Sequence, residues 1–300
     1  MKNPFDYTSA NWVKYSQYEW KKATDGNLYL TPTAKAEPWS YDPLQNAETL
    51  VLDALDIALL CFHKKPETEI QSAILRFARK YGLLGIMTAL PTTARFVEYE
   101  KVYFLKNQFI TAEAMDTTEY VSMFFPFKKL DFSKRGVESV WNISDRKMAA
   151  LAMTYQTSPQ AQTSPQAQTM SFMQNYAERY DWLTTVFKNW AFTFFSAFLY
   201  YHDYDNIDEY GRELYRQGMA AFDGNAPSYH IELRDRPTLV WDFHSLMLGI
   251  QMMFSFMLTD DTRPLRLCHE CRKPFVAKKP NDNFCRNDCR EKYNAKHNQP

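Results

Sequence analysis

The chain has 300 residues, enough for one large domain with an appendage or for two domains, and its formal net charge is zero. Apolar residues make up 45% and aromatic residues 16% of the chain, which is too much hydrophobic mass for a disordered protein. The zero net charge also argues against a uniformly basic nucleic-acid coat protein. We therefore expect a folded protein with a sizeable core.

The start of the chain and its uncharged runs bear on localisation. The first twenty residues are polar and aromatic and lack the apolar stretch of a secretory signal. The longest uncharged runs, 189–201 and 243–259, are shorter than the roughly 18 to 20 apolar residues of a membrane-spanning helix. We predict a cytoplasmic protein without a membrane partner, where reduced cysteines favour metal binding over disulfides.

The first part of the chain predicts an extended segment followed by helices. Residues 1–42 are expected to pack on the body as an extended segment, with a turn at Asp25-Gly26 and a short strand at 28–30. Apolar residues at helical spacing after Pro43 and after Pro66 predict two packed helices. Between 92 and 127 the pattern is mixed, and "EKVYFLKNQFI" fits either a strand or a strained helix.

A tandem copy of "QTSPQA" precedes the second half of the body. This polar, Pro-containing stretch predicts a flexible loop at 156–169, with a docking or processing site as the alternative. Apolar spacing then predicts a long aromatic helix from Phe172 to Tyr201 and a shorter one over 207–221. "SYHIEL" fits a strand, and a last long helix is expected from Val240 to Met257.

These elements together predict a mainly α fold. We expect a helical-bundle body over 43–262, minor β structure in the N-terminal part, and a separate zinc-finger module over 263–300. The chain has only eight glycines, and none is spaced as in GxGxxG or GxxxxGK[ST]. A phosphate-cradling nucleotide fold is therefore not expected.

Four of the five cysteines lie within 22 residues near the end of the chain, in the pattern C-x2-C-x13-C-x3-C: Cys268, Cys271, Cys285 and Cys289. The first pair can turn around one ion on a tight knuckle, and the second pair can present both sulfurs at the start of a helix. Four thiolates leave no open coordination position, so we predict one structural Zn²⁺ rather than a catalytic ion or a redox pair. The fifth cysteine, Cys61, is expected to be a small buried hydrophobic residue.

The cysteine run also carries a resemblance. "LRLCHECRKPFVAKKPNDNFCRNDCREKYNAKH" resembles the treble-clef zinc modules that end ABATE and CGNR-type bacterial proteins, which are proposed stress-linked transcriptional regulators. The shared features are the CxxC knuckle followed by Lys273 and Phe275, the Phe284-Cys285 pair, the CxxxC and a basic helix. Cys289-Arg290-Glu291-Lys292 stands where that family has its CGNR tetrapeptide. The resemblance implies a treble-clef fold and a role in transcription.

The tail from 263 to 300 is basic, with ten Lys or Arg against four Asp or Glu, an excess of 10 − 4 = 6. Arg and Asn side chains read base edges, and Lys and Arg side chains hold phosphates. We predict contacts with double-stranded DNA from the closing helix: Arg286, Arg290, Lys292, Asn294 and Lys296. The predicted function is a DNA-associated transcriptional regulator. The alternative is a protein-interaction scaffold whose zinc module docks on a protein partner.

An enzyme is a third hypothesis, and the sequence favours it least. The candidate constellations are the acidic stretch after the aromatic helix, and a histidine and a glutamate that alternate on a predicted strand: His202, Asp203, Asp205, Asp208 and Glu209, and His230 with Glu232. A solvated turn with a helix cap is the simpler interpretation of the acidic stretch. The sequence leaves the oligomeric state open.

Overall fold

The structure is a computed structural model, and it describes residues 8–89, 101–103, 109–110, 112–127, 173–202, 206–220, 228–233, 235–243, 245–279 and 281–297. The loop predicted at 156–169 lies outside these residues. So do Phe172, Asp203, Asp205 and the side chain of His202.

The N-terminal part folds into five strands: β1 (Thr8–Ala10), β2 (Trp12–Tyr15), β3 (Tyr18–Lys22), β4 (Leu28–Pro32) and β5 (Pro38–Tyr41). β2 and β5 pair antiparallel, and β3 and β4 form a hairpin. Gly26 lies in the hairpin turn with φ +84°, a left-handed conformation that glycine adopts without steric cost. The predicted turn and short strand are confirmed, and the rest of the segment is more regular than expected.

The helices follow a short 3₁₀ turn at Pro43–Asn46: α1 (Ala47–Phe62), α2 (Glu67–Tyr81), α3 (Ile86–Ala89), α4 (Thr117–Ser122), α5 (Tyr180–His202), α6 (Glu209–Ala220), α7 (Leu246–Leu258) and α8 (Asn287–His297). The two helices predicted after Pro43 and Pro66 are confirmed as α1 and α2. α2 has acidic residues in its first turn and Arg79 and Lys80 in its last, which suits the helix dipole.

The remaining strands are β6 (Lys101–Tyr103), β7 (Ala114–Asp116), β8 (Glu178–Arg179), β9 (Ser228–Leu233), β10 (Pro237–Asp242), β11 (Leu265–Leu267) and β12 (Pro274–Val276). One sheet has the order β1-β10-β9, with β1 parallel to β10 and β9 antiparallel to it. β8 adds to the β3–β4 hairpin, while β6–β7 and β11–β12 are separate antiparallel pairs. The N-terminal strand β1 therefore pairs with a strand from the last third of the chain.

The prediction of a mainly helical bundle is wrong. The described part of the chain contains twelve strands in five small sheets beside its helices, which makes it a mixed α/β fold. The strands are only two to six residues long, too short to show a clear two-residue period. Val240, which fits the spacing of the last helix, lies in β10, and that helix begins at Leu246. Similarly, the aromatic helix begins at Tyr180 and follows β8.

The core lies where α1 packs against α2, α5 and α7. Aromatic side chains fill it: the Phe77 and Phe187 ring centroids are 6.0 Å apart, edge to face, and Phe187 and Trp190 are 5.3 Å apart. Such edge-to-face pairs add to the stabilisation from apolar burial. No described helix combines the length and the apolar character needed to cross a membrane.

A buried carboxylate joins β8 to the turn between α2 and α3. Glu178 is 1% exposed and accepts four hydrogen bonds. Its Oε1 accepts from the backbone N–H groups of Gly85 at 2.6 Å and Ile86 at 3.1 Å, and its Oε2 accepts from the Leu84 N–H at 3.0 Å. The Tyr176 hydroxyl donates to Oε1 at 3.1 Å. Both oxygens are thus satisfied inside the core.

The C-terminal module, residues 263–297, packs on α1 through β12. Leu265 and Leu267 of β11 belong to the main core. Two ion pairs flank this contact: Arg263 with Glu48, at 2.8 Å, and Lys273 with Asp56, at 3.4 Å. Cations of the basic tail therefore face acidic residues of the body.

Candidate metal centre

The first two cysteines lie on a tight knuckle between β11 and β12. The Arg272 N–H donates to the Cys268 carbonyl at 2.9 Å, and the Cys268 N–H donates to the Lys273 carbonyl at 2.9 Å. Arg272 adopts a left-handed φ of +58°, which closes the turn. These bonds fold the chain back between β11 and β12, with Cys268 and Cys271 on the turn.

The second pair is held by the start of α8. Cys285 lies just before this helix and Cys289 lies in its first turn, where the Cys289 N–H donates to the Arg286 carbonyl at 3.2 Å. The His269 N–H donates to the Asn283 carbonyl at 3.0 Å, which fastens the knuckle to the chain that leads into the helix. The helix predicted to begin at the second cysteine pair is confirmed as α8.

The four sulfurs converge on one point. The Sγ atoms of Cys268, Cys271, Cys285 and Cys289 all lie within 4.8 Å of one another. The Cys271–Cys285 and Cys285–Cys289 sulfur pairs are 3.7 and 3.6 Å apart. A tetrahedron whose sulfurs lie about 2.3 Å from a central ion has edges of about 3.8 Å, and a disulfide is only about 2.05 Å long. The arrangement therefore fits a tetrahedral metal ion and not a disulfide.

Backbone donors prepare Cys268 to be a thiolate. Burial raises the pKa of the Cys268 thiol, but the N–H groups of Cys271, Cys285 and Glu270 donate to its sulfur and lower the pKa to about 6. Hydrogen bonds to the charged form favour ionisation. The knuckle thus supplies part of the environment that a metal ligand requires before any ion binds.

The remaining thiols oppose ionisation in the absence of a cation. Burial raises the pKa of Cys271, and burial with the neighbouring thiol of Cys289 raises the pKa of Cys285 well above its usual value. Several thiolates this close repel one another, and a divalent cation removes that penalty. The Arg286 cation also offsets the repulsion between thiolates, because its guanidinium lies beside the Cys289 sulfur. The same contact raises the pKa of the guanidinium.

Both histidines of the module lie outside the sulfur cluster. The His269 ring packs 5.8 Å from Phe284 and 6.1 Å from Tyr293, and it is half-buried. His297 is exposed and stacks on Tyr293 at 4.0 Å. These rings pack α8 against the knuckle.

The five residues predicted to contact DNA divide into two groups. Lys296 pairs with Glu270 of the knuckle, and Arg286 lies beside the Cys289 sulfur. Arg290, Lys292 and Asn294 are exposed on α8. Neither Arg290 nor Lys292 has an ion pair within the residues that the structure describes.

The other candidate constellations form no comparable site. Asp208 accepts from the Gly211 N–H at 2.7 Å and caps α6, and Glu209 pairs with Arg216, as expected for a solvated turn. His230 Nε2 and Glu232 Oε1 are 3.3 Å apart on β9. Across the described ranges, the cysteines are the only group of three or more such ligands close enough to hold an ion.

Sequence reasoning missed how the module is attached to the body. Glu48 and Asp56, the partners of Arg263 and Lys273, carry no signal that separates them from other helix-surface acids. It also missed Glu178, whose three backbone donors lie more than 90 residues earlier in the chain.

Comparison with protein-family models, with curated proteins and with solved structures finds no match to this chain. The interpretation of the metal centre therefore depends on its own geometry. The resemblance to ABATE and CGNR-type proteins remains a prediction.

Proposed function

We propose that the four cysteines hold one structural Zn²⁺ and that the module they organise binds nucleic acid. Tetrahedral coordination by four thiolates is the usual arrangement of structural zinc and leaves no position for a substrate or a catalytic water. Cys268, Cys271, Cys285 and Cys289 supply that ligand set, with sulfur separations close to a zinc tetrahedron.

The observation that supports this proposal most is which cations of the module already pair with an acidic residue and which do not. Arg263 and Lys273 face acidic residues of α1, and Lys296 faces Glu270. Arg290 and Lys292 project from the metal-anchored helix into solvent without an ion pair in the described part of the chain. Exposed cations on a rigid element can bind phosphates without first breaking an internal contact.

Double-stranded DNA is the proposed ligand, with a role in transcription. The resemblance to ABATE and CGNR-type modules supports this choice, as does the basic tail. Because several cations already pair with acidic residues, few are left to contact phosphates. The affinity of one module for DNA is therefore expected to be salt-sensitive and weakly sequence-specific.

Fluorescence anisotropy of labelled duplex DNA against the full-length, zinc-loaded protein tests the proposal. Arg290→Ala with Lys292→Ala should weaken binding and reduce the slope of log affinity against log salt by about 2, because two phosphate contacts are lost. The matched control is Arg263→Ala with Lys273→Ala, which removes the same two residue types from the body-facing side. Equal loss in both variants would reject α8 as the contact surface. Absence of salt-dependent binding by the wild type would reject DNA binding and favour the alternative of a docked protein partner.

Metal analysis of the same protein tests the zinc assignment separately. We expect one zinc per chain in protein purified under reducing conditions, and less than half of that in Cys285→Ser, which removes one of four ligands. Cys61→Ala serves as the control because Cys61 is buried in the body, away from the cluster. Iron in place of zinc would overturn the identity of the ion and leave the four-cysteine site intact.

A further inference from the structure

Strand β9 exposes three large apolar side chains on one face. Tyr229, Ile231 and Leu233 are 62%, 67% and 87% exposed. Alternate residues of a strand point to the same side, so these three form one continuous apolar row. In the described part of the chain, β9 is the last strand of the sheet β1-β10-β9. Soluble proteins usually protect such edges with charges, prolines or covering elements, because exposed edges pair with other strands.

The neighbouring strand widens this apolar surface. Leu239 lies opposite Ile231 and Trp241 lies opposite Tyr229, and both are half-buried. The Tyr229 and Trp241 rings are 6.0 Å apart, edge to face. The opposite face of β9 is polar and carries His230 and Glu232, whose side chains are 33% and 37% exposed.

We propose that β9 is a dimerisation strand that pairs antiparallel with β9 of a second copy of this chain. The two-fold axis passes through Ile231, so that the two three-stranded sheets join into one sheet of six strands. A two-fold contact of this kind uses the same surface on both subunits and closes on itself. Main-chain hydrogen bonds across the new edge supply affinity, and the side-chain rows supply register.

Charge complementarity selects both the partner and the register. With Ile231 opposite the partner's Ile231, His230 lies opposite the partner's Glu232, and this pair occurs twice. Directly opposed residues of an antiparallel pair share a face, so the axis must pass through a residue position. An axis at Glu232 would place two carboxylates opposite each other, and an axis at His230 would place two imidazoles there, neither of which is favourable.

The same register completes the apolar face. Tyr229 lies opposite the partner's Leu233 at both ends of the contact, with the two isoleucines at its centre. Aromatic–aliphatic cross-strand pairs of this kind stabilise sheets. The interface thus forms from five consecutive residues of one strand, 229–233, used twice. The inference goes beyond the proposed nucleic-acid binding and does not depend on it.

Sedimentation equilibrium of the full chain over a range of concentrations tests the dimer. We expect a wild-type dimer at micromolar concentration and an increase of at least about tenfold in its dissociation constant for Ile231→Arg, because two cations would meet on the axis. Tyr210→Arg is the matched control. Tyr210 is 79% exposed on α6, so this substitution makes the same apolar-to-cation change on a different surface. A wild type that stays monomeric up to about 100 µM overturns the proposal. So does a dimer that Ile231→Arg leaves unchanged.

Charge exchange tests the register. His230→Glu alone places like charges opposite each other, and Glu232→Lys alone places a cation opposite an imidazole, so each variant should dimerise more weakly than the wild type. Combining both changes in one chain should restore the dimer. An equimolar mixture of the two single variants should form a heterodimer, because each then carries the complement of the other. Failure of both restorations overturns the register.

A symmetric crosslink provides an independent test. In the zinc-loaded protein with oxidised glutathione as oxidant, Ile231→Cys should form a disulfide-linked dimer, because this position faces itself across the axis. Leu233→Cys is the matched control: it lies about 13 Å from its own counterpart in this register and should crosslink far more slowly. Equal crosslinking by both variants overturns the pairing. A monomer that instead captures an unrelated apolar peptide on β9 would assign the face to another partner and overturn the dimer.

Discussion

Glu178 places a carboxylate inside an aromatic core, where an unsatisfied charge is strongly destabilising. Its four donors offset this cost, three of them from consecutive backbone N–H groups at 84, 85 and 86. The residue thus acts as the acceptor for a turn that has no regular secondary structure of its own before α3 begins.

Replacing Glu178 with alanine is expected to destabilise the protein by about 3 to 5 kcal/mol, because three buried N–H groups lose their acceptor. Urea unfolding followed by tryptophan fluorescence measures the change. The control is Glu37→Ala, at an exposed glutamate, for which we expect less than about 0.5 kcal/mol. A Glu178→Ala variant within 1 kcal/mol of the wild type, by the same scale, would contradict the assigned role.

The same residue predicts a pH dependence of folding. Burial raises the pKa of Glu178 from 4.5 to about 7, and the four donors oppose this only in part. Because the folded state binds the proton more tightly, the stabilising contribution is fully present below about pH 4.5. It is lost as the pH rises through about 7.

We therefore expect the unfolding free energy of the wild type to fall by about 2 to 3 kcal/mol more than that of Glu178→Gln between pH 5 and pH 8. Glutamine cannot titrate, and the subtraction cancels the contributions of every other group, including the metal ligands. Parallel curves for the two proteins would show that Glu178 does not titrate in this range.

The turn between α2 and α3 depends on the close approach of its backbone to Trp12 and Ser245 as well as on hydrogen bonds. Gly85 has φ +74°, and a Cβ built there would lie 2.8 Å from Trp12 Cη2 and 3.0 Å from Ser245 Cβ. Trp12 also donates through its Nε1 to the Leu83 carbonyl at 3.0 Å, so the indole cannot easily move away.

Gly85→Ala is expected to cost about 3 kcal/mol, from left-handed backbone strain together with overpacking against Trp12. Gly26→Ala is the matched control, because Gly26 has φ +84° but no atom within 4 Å of the added Cβ. It should cost only about 1 kcal/mol from the backbone. Thermal unfolding of the two variants separates these contributions, and equal losses would mean that the contact with Trp12 is readily relieved.

The outcome of the sequence predictions also differs from element to element. α1 and α2 were predictable because proline marks their starts and apolar residues repeat at helical spacing over about four turns. The start of α7 was not, because Val240 and Phe243 continue its apolar spacing back into β10. The actual boundary is Ser245, whose Oγ accepts from the Leu248 N–H at 3.1 Å.

Local features of the site could be predicted from the sequence, whereas long-range features could not. The cysteine cluster could be predicted because its ligands lie within 22 residues and their spacing alone implies the geometry. The docking of the module could not, since Arg263 and Lys273 contact residues 215 and 217 positions away. Such pairs depend on the whole fold, including strands that the apolar pattern assigned to helices or left extended.

Two separate groups of buried residues stabilise the C-terminal module. Leu265 and Leu267 belong to the main core, whereas Cys268, Cys289, Phe275 and Ala277 form a separate small cluster around the sulfurs. The small cluster buries little apolar surface, so the metal is expected to supply most of its folding free energy. The body should not share this dependence.

Removal of the metal with a chelator should therefore loosen the module and leave the body folded. In hydrogen–deuterium exchange, we expect amides of α8 and β12 to exchange at least about tenfold faster, while those of α1 and α5 keep their protection. Zn²⁺ should restore the slow exchange and Ca²⁺, which prefers oxygen ligands, should not. Faster exchange throughout α1 as well would mean that the module stabilises the body through Arg263, Lys273 and β11. Unchanged exchange in α8 would mean that the ring packing around Tyr293 holds the helix without the ion.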